Sequence, residues 1–167
     1  MEIKSTLQSR LSGVLPVTYR DIESFAELGD RVVHSVHAYC FVNDQMVVVY
    51  SEAKGYWTPP GGGVESGESV EEAIVREVLE ETNMRVLKQK IIGYQEISDP
   101  HQLTVQARSV CIVEPIGPFI ADAAADDDGE GVTEIKLIDP KDIKQYFDWG
   151  VVGDHILQRA LQIKGHL

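Results

Sequence analysis

The sequence predicts an α/β fold built as one domain. Two pairs of apolar segments, each joined by a short turn sequence, have the composition of β-hairpins, and two further segments carry apolar residues at helical spacing. The length of 167 residues and the hydrophobic content of 43% suffice for one substantial core. We therefore expect residues 1–167 to form a single domain, of which residues 1–31 are an N-terminal extension.

The first predicted hairpin comprises Val32–Val42 and Gln45–Tyr50, which are rich in Val, Tyr and Phe. Asn43 and Asp44 interrupt this run as a turn would. Neither strand alternates strictly between apolar and polar residues, which is typical of strands covered on both faces. Both strands are therefore expected to be buried.

The segment that follows, Lys54–Gly67, is dense in Gly and Pro and contains too many breakers for regular structure. A helix is predicted directly after it, because Ser69 and Glu72 have the spacing of a capping box. Apolar residues at helical spacing extend this helix to about Thr82. The loop that leads into the helix is the first feature that indicates a function.

The second predicted hairpin pairs Arg85–Ile97 with Gln102–Val113 across a turn at residues 98–101. The next segment, Glu114–Gly131, contains Pro, Gly and the acidic run Asp126–Asp128. This composition predicts a long loop, either merely solvated or functional.

The C-terminal region is predicted to contain one strand and two helices. Glu134–Ile138 has the composition of a short strand, Pro140–Tyr146 begins a helix, and Gly153–Lys164 is an amphipathic helix. The inward face of that last helix is expected to consist of Ile156, Leu157, Ala160 and Leu161.

The chain is acidic, with 15 Lys and Arg against 27 Asp and Glu and a formal net charge of −12. Such a protein repels polyanions at long range, so duplex nucleic acid and anionic membranes are not expected partners. A small phosphorylated substrate is compatible with this charge, because divalent cations can bridge acidic side chains to phosphates.

Only two cysteines are present, Cys40 and Cys111, and both lie in apolar runs. They are expected to be buried free thiols in a reducing compartment, where their role is packing.

The N-terminus lacks a secretory signal pattern, and no apolar run is long enough to span a bilayer. These features predict a soluble, cytoplasmic protein.

The helix predicted after Ser69 has an unusual distribution of charge. It carries five glutamates and a single base, Arg76, and two of the glutamates lie in its last turn, where the helix dipole disfavours negative charge. Glu77, Glu80 and Glu81 are spaced so that their carboxylates can project to one side. A hard divalent cation such as Mg²⁺ would relieve this repulsion, whereas the alternative is a solvated acidic face.

The loop and the helix together resemble the Nudix hydrolase family. The family motif G-x5-E-x7-R-E-U-x-E-E-x-G-U, in which U is a bulky apolar residue, is matched by Gly62, Glu68, Arg76, Glu77, Val78, Glu80, Glu81 and Met84. Asn83 replaces the family's glycine, and asparagine is the next most tolerant residue for a left-handed backbone. Trp57–Gly62 also resembles the W-x-x-P-G-G segment that precedes the motif in the family.

The resemblance implies a Nudix-type α/β/α sandwich, with a mixed, mostly antiparallel sheet between helices. It also implies a metal site for Mg²⁺, with Mn²⁺ as the second candidate. By resemblance, three carboxylates and one backbone carbonyl are the ligands, Arg76 orients the carboxylates, and Glu68 is a structural glutamate and candidate partner of Arg76. The implied metal ligands are Glu77, Glu80, Glu81 and the carbonyl of Gly62.

The catalytic base has more than one candidate. Family members take it either from the motif or from a carboxylate on a later loop. We favour Glu80, with Glu130 or Glu134 as the alternative and Asp126–Asp128 nearby in sequence.

Three residues outside the motif are candidates for contact with a base or ribose. Trp57, Tyr94 and His101 could stack on such a group or form hydrogen bonds with it. Core packing is the alternative for each of them.

The expected function is therefore a metal-dependent pyrophosphohydrolase that cleaves a diphosphate linkage in a nucleoside diphosphate derivative. The substrate is expected to be a small nucleotide-like molecule, and nucleoside triphosphates, nucleotide sugars, ADP-ribose and dinucleotide polyphosphates all remain candidates. One alternative is a catalytically inactive nucleotide-binding module of the same fold, and another is an acidic protein-interaction domain. A homodimer is expected, because many relatives are dimers and the segment before Val32 is available to pack on a neighbour.

Overall fold

The computed structural model describes residues 1–121 and 131–167. Within these ranges the chain forms nine strands and two α-helices, with short 3-10 helices at Phe25–Leu28 and Pro140–Gln145. The strands are β1 (Glu2–Ser9), β2 (Gly13–Asp21), β3 (Ser35–Val42), β4 (Gln45–Ser51), β5 (Tyr56–Thr58), β6 (Gly61–Gly63), β7 (Met84–Ser98), β8 (Leu103–Pro115) and β9 (Glu134–Ile138). The helices are α1 (Val70–Thr82) and α2 (Gly150–Lys164).

The strands form one mixed sheet in the order β1-β2-β7-β8-β3-β4-β5, with β6 paired to β3 and β9 paired to β4. Strands β3 and β8 run parallel, and the other pairings are antiparallel. Helix α1 contributes Ala73, Ile74 and Val78 to one buried cluster, and α2 contributes residues such as Ile156 and Ala160 to another. The expected α/β/α arrangement of a mostly antiparallel sheet between helices is therefore confirmed.

Both predicted hairpins are present. Strands β3 and β4 flank Asn43, whose φ of 53° places it in the left-handed region that a tight turn requires. The two strands are largely buried, as expected. Strand β3 begins at Ser35, three residues later than predicted, and Val32 is 72% exposed.

Strands β3 and β4 separate soon after their turn, because they pair only through Phe41 with Met46 and Val42 with Gln45. Beyond this point β6 pairs with β3, and β5 pairs with β4. The prediction that residues 54–67 have no regular structure was therefore wrong. Their backbone groups find partners on the two diverging strands, and this tertiary pairing overrides the local preference of Gly and Pro.

Residues 1–31, predicted as an extension without assigned structure, contain a complete β-hairpin. Strand β1 pairs with β2 along its whole length, and β2 continues the sheet by pairing with β7. Asp21, at the end of β2, lies 2.8 Å from Nε2 of His155 on α2, and Arg159 donates to Glu23 and to the carbonyl of Ile22. These contacts attach the hairpin to α2.

Helix α1 has the predicted limits, and its capping box between Ser69 and Glu72 is formed in both directions. It ends at Asn83, whose backbone is left-handed with φ of 53° and ψ of 38°. Asparagine therefore occupies the conformation for which the family motif has glycine.

Helix α2 begins at Gly150, three residues before the predicted start. Ile156 and Ala160 are fully buried, but Leu161 is 40% exposed, so its assignment to the inward face was wrong. Leu161 follows Ala160 by one residue, which turns it about 100° away from the buried stripe. The segment after Pro140 is a 3-10 helix.

Cys40 and Cys111 are buried free thiols, as predicted. They are register partners on the parallel strands β3 and β8, and burial raises the pKa of Cys40.

Within the described ranges, none of the helices combines the length and the apolar character needed to cross a membrane. Of the predicted loop at Glu114–Gly131, the first two residues belong to β8, and Asp126–Asp128 and Glu130 lie outside the described residues.

Candidate active site

The two glutamates Glu77 and Glu81 of α1 face the glycines of β6. Gly61 donates its backbone N–H to Oε2 of Glu81 at 3.2 Å. A Cβ built on Gly62 would lie only 2.5 Å from Oε1 of Glu77, which is closer than real Cβ contacts allow. A side chain at position 62 would therefore displace the carboxylate of Glu77, which is itself only 8% exposed.

Arg76 organises the carboxylates at this junction. Its Nε and Nη2 bind the two oxygens of Glu68 at 2.7 and 2.9 Å, the bidentate geometry that makes such pairs strong. Its Nη1 donates to Glu77 at 2.9 Å and to Glu80 at 3.1 Å, and its Nη2 also donates to the carbonyl of Gly63 at 2.8 Å. One guanidinium thus connects the loop, β6 and α1.

The pairing of Glu68 with Arg76 is the contact that was predicted. The hydrogen bond from Arg76 holds the pKa of Glu68 below its ordinary value, and the same bond is the main reason that the pKa of Arg76 is raised. Glu68 is therefore ionised and bound to Arg76 throughout the neutral range.

The three candidate metal ligands on α1 are not equivalent. Glu77 and Glu81 lie against β6, whereas Glu80 is 52% exposed and is bound to Arg76. In residues 1–121 and 131–167, no group of three or more His, Cys, Asp or Glu side chains is arranged closely enough to hold an ion. Glu77 and Glu81 each lie against β6, and the convergence of all three carboxylates on one ion stays a prediction.

The donor set at β6 nevertheless fits a hard divalent cation. Glu77 and Glu81 supply carboxylate oxygens on one helix face, and Gly62 places backbone beside them without a side chain between. Magnesium takes oxygen ligands and usually completes its coordination with water and substrate phosphate, so a few carboxylates beside an open position suit it.

The candidates for the catalytic base outside α1 are Glu134 and Glu130. Glu134 is on β9 opposite Tyr50, with its side chain 53% exposed and 3.9 Å from Lys136. Glu130 lies outside the described residues. Glu80, the favoured candidate, lies in the carboxylate cluster and is bound to Arg76.

The three aromatic candidates occupy different surroundings. Trp57, on β5, is partly buried between Tyr50 and Tyr146 and lines a cavity, with Nζ of Lys136 5.0 Å from its ring. Tyr94 is only 3% exposed and packs in the core on the α1 face, which corresponds to the packing alternative. His101 is exposed in the turn between β7 and β8, where its backbone N–H binds Asp99.

A cavity of about 720 Å³ lies on the opposite face of the sheet from α1. Its walls come from the strands β1, β2, β3, β5, β7 and β8, from residues 146–149 and from the start of α2. The residues that line it and that sequence reasoning did not single out include His37, Gln95, Gln106, Arg108 and Trp149. The signal that could have found them is Arg108, a charged residue within the otherwise apolar run of β8.

The cavity adjoins the carboxylate site through β6. His37 and Gly61 are register partners, and a Cβ on Gly61 would come within 2.9 Å of the His37 ring. Gly61 is also the residue whose N–H binds Glu81. One glycine strand therefore has the glutamates on one side and the wall of the cavity on the other.

Comparisons with known proteins agree with this architecture. A model of the NUDIX domain matches residues 33–159. An ADP-ribose pyrophosphatase of Methanocaldococcus jannaschii is 33% identical over 103 residues, 58% of this chain and 60% of that protein. An uncharacterized Nudix hydrolase of Bacillus subtilis is 35% identical over 51 residues, 30% of this chain and 32% of that protein. The chain thus spans about three fifths and about a third of these two relatives.

Solved structures extend the similarity of fold to nearly the whole chain. A pyrophosphohydrolase of Bacillus subtilis superposes with a TM-score of 0.69 at 20% identity, covering 96% of this chain and 98% of that one. The NUDIX domain of NrtR from Shewanella oneidensis, solved with ADP ribose, gives a TM-score of 0.58 at 17% identity over 81% and 90% of the two chains. With the family model covering residues 33–159 and the motif residues gathered between β6 and α1, the chain belongs to the Nudix hydrolase family.

Proposed function

We propose that this protein is a metal-dependent pyrophosphohydrolase that cleaves a diphosphate linkage in a nucleoside diphosphate derivative. The observation that carries the proposal is the close approach of Glu77 and Glu81 to the glycines of β6. This arrangement leaves carboxylate oxygens beside an edge with no side chains. Such an edge suits a cation together with the phosphates that it binds.

Different residues of the site would bind the ion and orient its ligands. Glu77 and Glu81, with the carbonyl of Gly62, would hold the ion, for which magnesium is the first candidate and manganese the second. When bound, the ion would withdraw charge from the phosphate oxygens and favour the attack of water on phosphorus. Glu68 fixes Arg76 from one side, so that Arg76 orients Glu77 and Glu80 from the other.

Glu80 is our candidate for the general base. It is bound at 3.1 Å to Arg76 and is half exposed, so its carboxylate can turn toward a water molecule at the site. Glu130 and Glu134 are the alternatives, which separate mutants would distinguish by the size of the loss in kcat.

The substrate class is supported by the relatives and by the cavity. The archaeal relative is named as a pyrophosphatase of ADP-ribose, and another relative from Bacillus subtilis as a putative 8-oxo-dGTP diphosphatase. A cavity of about 720 Å³ on the other side of β6 is large enough for a nucleoside. We infer that the diphosphate lies at the glutamates and the nucleoside in this cavity, with Trp57 in its wall.

We propose further that the protein is a cytoplasmic homodimer. The two buried free thiols suit a reducing compartment. Strand β1 is at the edge of the sheet, and Leu7 and Val14 of the same hairpin are 44% and 63% exposed. Light scattering on the purified chain tests the dimer, and a monomer at micromolar concentration would exclude it under those conditions.

The test of the proposed activity is the release of phosphate or nucleotide from a panel of nucleoside triphosphates, nucleotide sugars and ADP-ribose. Each compound is incubated with the wild type in magnesium and in chelator. Glu81→Gln keeps the volume of the side chain but removes a charged ligand, so most turnover should be lost while the fold is retained. Glu71→Gln, an exposed glutamate at the start of the same helix, is the matched control and should keep wild-type turnover.

Two results would contradict the proposal. Turnover by Glu81→Gln at the wild-type level would remove Glu81 from the site. No release from any compound, combined with nucleotide binding, would instead favour a catalytically inactive binding module.

A further inference from the structure

Arg108 is a buried cation without an acidic partner among the described residues. It is 2% exposed and lies on β8 between His37 of β3 and Gly93 of β7. Its hydrogen bonds go to the carbonyl of Ala107 at 3.1 Å and to Oε1 of Gln106 at 3.0 Å. Its Nε has no hydrogen-bond partner in residues 1–121 and 131–167.

Such an arrangement is unfavourable for the protein alone. A buried charge is normally paired, and buried donors are normally satisfied, because both lose their interactions with water. The nearest compensation is the ring of Trp149, whose centroid lies 5.3 Å from the guanidinium carbon of Arg108. A cation–π contact favours the charge but accepts no hydrogen bond from Nε.

Arg108 faces the cavity described above and lines it together with Gln95, Gln106, His37 and Trp149. Nη1 and Nη2 each carry a second N–H besides the one that binds Ala107 or Gln106, so a ligand in this cavity could accept hydrogen bonds from these two atoms. Since His37 is the register partner of Gly61, the same ligand would extend toward the strand that faces Glu77 and Glu81.

The contact with Arg108 also determines how two glutamine amides are oriented. Arginine can only donate, so the atom of Gln106 that it meets must be the carbonyl oxygen. Gln95 donates its Nε2 to the same oxygen at 2.8 Å. Consequently the amide of Gln106 offers its N–H groups to the cavity, and Gln95 offers its oxygen.

The cavity therefore presents donors from Arg108 and Gln106 next to one acceptor from Gln95. A ligand group that matches this array has two adjacent acceptors and a nearby donor. The O6 and N7 atoms of guanine are such a pair of acceptors, and paired contacts of arginine to them are common in nucleic-acid recognition. The N1–H of the same base supplies the donor. Adenine presents an amino group where guanine has O6, and that group would face donors.

We propose that Arg108 is a specificity-determining residue that selects a 6-oxopurine, the base type of guanine and hypoxanthine, in the cavity of this protein. The proposal rests on the proposed function, since it places the nucleoside of the substrate in this cavity. It narrows the substrate class to guanine- or hypoxanthine-containing nucleotides.

The test separates binding of the base from hydrolysis. Binding of GMP, IMP, AMP and CMP to the full chain is measured by titration calorimetry in chelator, where turnover does not contribute. GMP and IMP should bind about tenfold or more tightly than AMP and CMP. Equal affinities for GMP and AMP, or tighter binding of CMP, would overturn the proposal.

Two variants connect the preference to the residue. Arg108→Met should lower the affinity for GMP to that for AMP, and Arg108→Lys should do the same, because lysine lacks the planar pair of donors. Lys136→Met is the matched control, since it removes a cation near Trp57 and should keep the preference for GMP. If both Arg108 variants still bound GMP more tightly than AMP, Arg108 would not be the specificity-determining residue.

Thermal unfolding distinguishes recognition from a structural role. Removing an uncompensated buried charge should leave the melting temperature of Arg108→Met unchanged or higher. A lower melting temperature together with equal losses for all four nucleotides would overturn the proposal, because that pattern indicates a structural residue.

Steady-state kinetics separate this proposal from the proposed function. With guanine substrates, Arg108→Met should raise KM with little change in kcat. Magnesium-dependent hydrolysis that is equally efficient for guanine and adenine substrates would overturn the base preference and leave the proposed function intact. A GMP preference in chelator without hydrolysis of any guanine compound would support the role of Arg108 and overturn the proposed function.

Discussion

Gly62 and Glu77 are so close that the carboxylate of Glu77 occupies the space a side chain at position 62 would need. The nearest atom, Oε1, lies 2.5 Å from the position of a Cβ on Gly62. Gly62→Ala should therefore displace Glu77 or shift β6, lower the free energy of unfolding by about 1–3 kcal/mol and remove most turnover. Chemical denaturation and kcat measure the two effects.

The neighbouring residue provides the control for this prediction. A Cβ on Gly63 would lie 3.8 Å from the nearest atom, the carbonyl oxygen of His34, so Gly63→Ala should behave as wild type. If Gly62→Ala and Gly63→Ala lost equal stability and equal turnover, the close approach of Glu77 would not be the cause. The glycines would then be needed for the flexibility of β6.

Glu68→Gln should weaken catalysis without unfolding the protein. Glutamine cannot accept both hydrogen bonds that Arg76 now donates to the carboxylate, so Arg76 would orient Glu77 and Glu80 less well. Loss of such a supporting contact lowers activity by about 10- to 100-fold in comparable metal sites. The measurement is kcat at saturating magnesium, compared with Glu65→Gln. Glu65 is 3.8 Å from Arg76 and 68% exposed, so its replacement should have little effect.

Magnesium should stabilise the wild-type protein against heat. An ion that binds the folded state alone stabilises it by an amount that grows with the logarithm of its concentration relative to Kd, so the melting temperature should rise with magnesium and fall again in chelator. Glu81→Gln should lose most of this stabilisation, while Glu71→Gln should keep it. A melting temperature that does not respond to magnesium or manganese would instead favour a protein-interaction role for the acidic helix.

The stability of the protein should also fall in acid through Glu23. Hydrogen bonds from Lys90, at 2.8 Å, and from Arg159 lower the pKa of Glu23 from 4.5 to about 2. Because the folded pKa is the lower one, the contribution is present above pH 4.5 and is lost as the pH falls toward 2. Glu23 is 63% exposed, so solvent screening keeps the effect modest.

Glu23→Gln should remove this part of the pH dependence. Its free energy of unfolding should be lower than that of the wild type at neutral pH, and the difference should shrink between pH 4.5 and 2. Denaturation curves at several pH values measure it, with Glu71→Gln as the control. A difference that stays constant with pH would show that charge on Glu23 is not the cause.

Helix α1 and two of the hairpins could be predicted from the sequence, because their signals come from residues that are close together in the chain. The limits of α1 and its capping box follow from Ser69, Glu72 and the apolar spacing, all within the helix itself. The hairpins β3–β4 and β7–β8 were predictable for a similar reason, since each turn lies directly between its strands. Strand β6 was missed because its partner β3 lies more than 20 residues earlier, and β5, which pairs with the preceding strand β4, was missed because three residues are too few to show a strand pattern.

The candidate site was predictable to a different extent for each residue. Helical spacing places Glu77, Glu80 and Glu81 on one side of α1, but it does not determine which of them meets β6. The rotamer of Glu80 and its bond to Arg76 depend on the arrangement of the loop, which spacing does not describe. Tyr94 looked like a candidate ligand from its type alone, and its burial came from the packing of the sheet on α1.

The sequence by itself determined the family motif, helix α1 with its cap and the presence of Arg76 among the glutamates, because these depend on residue types within a few turns of chain. Only the tertiary structure decided that Gly62 meets Glu77, that the N-terminal hairpin joins the sheet, and that Arg108 lies buried beside a cavity. The last two relationships join strands that are distant in sequence, and the first depends on the packing of α1 against β6. They arise from strand pairing and packing in three dimensions, which no local pattern specifies.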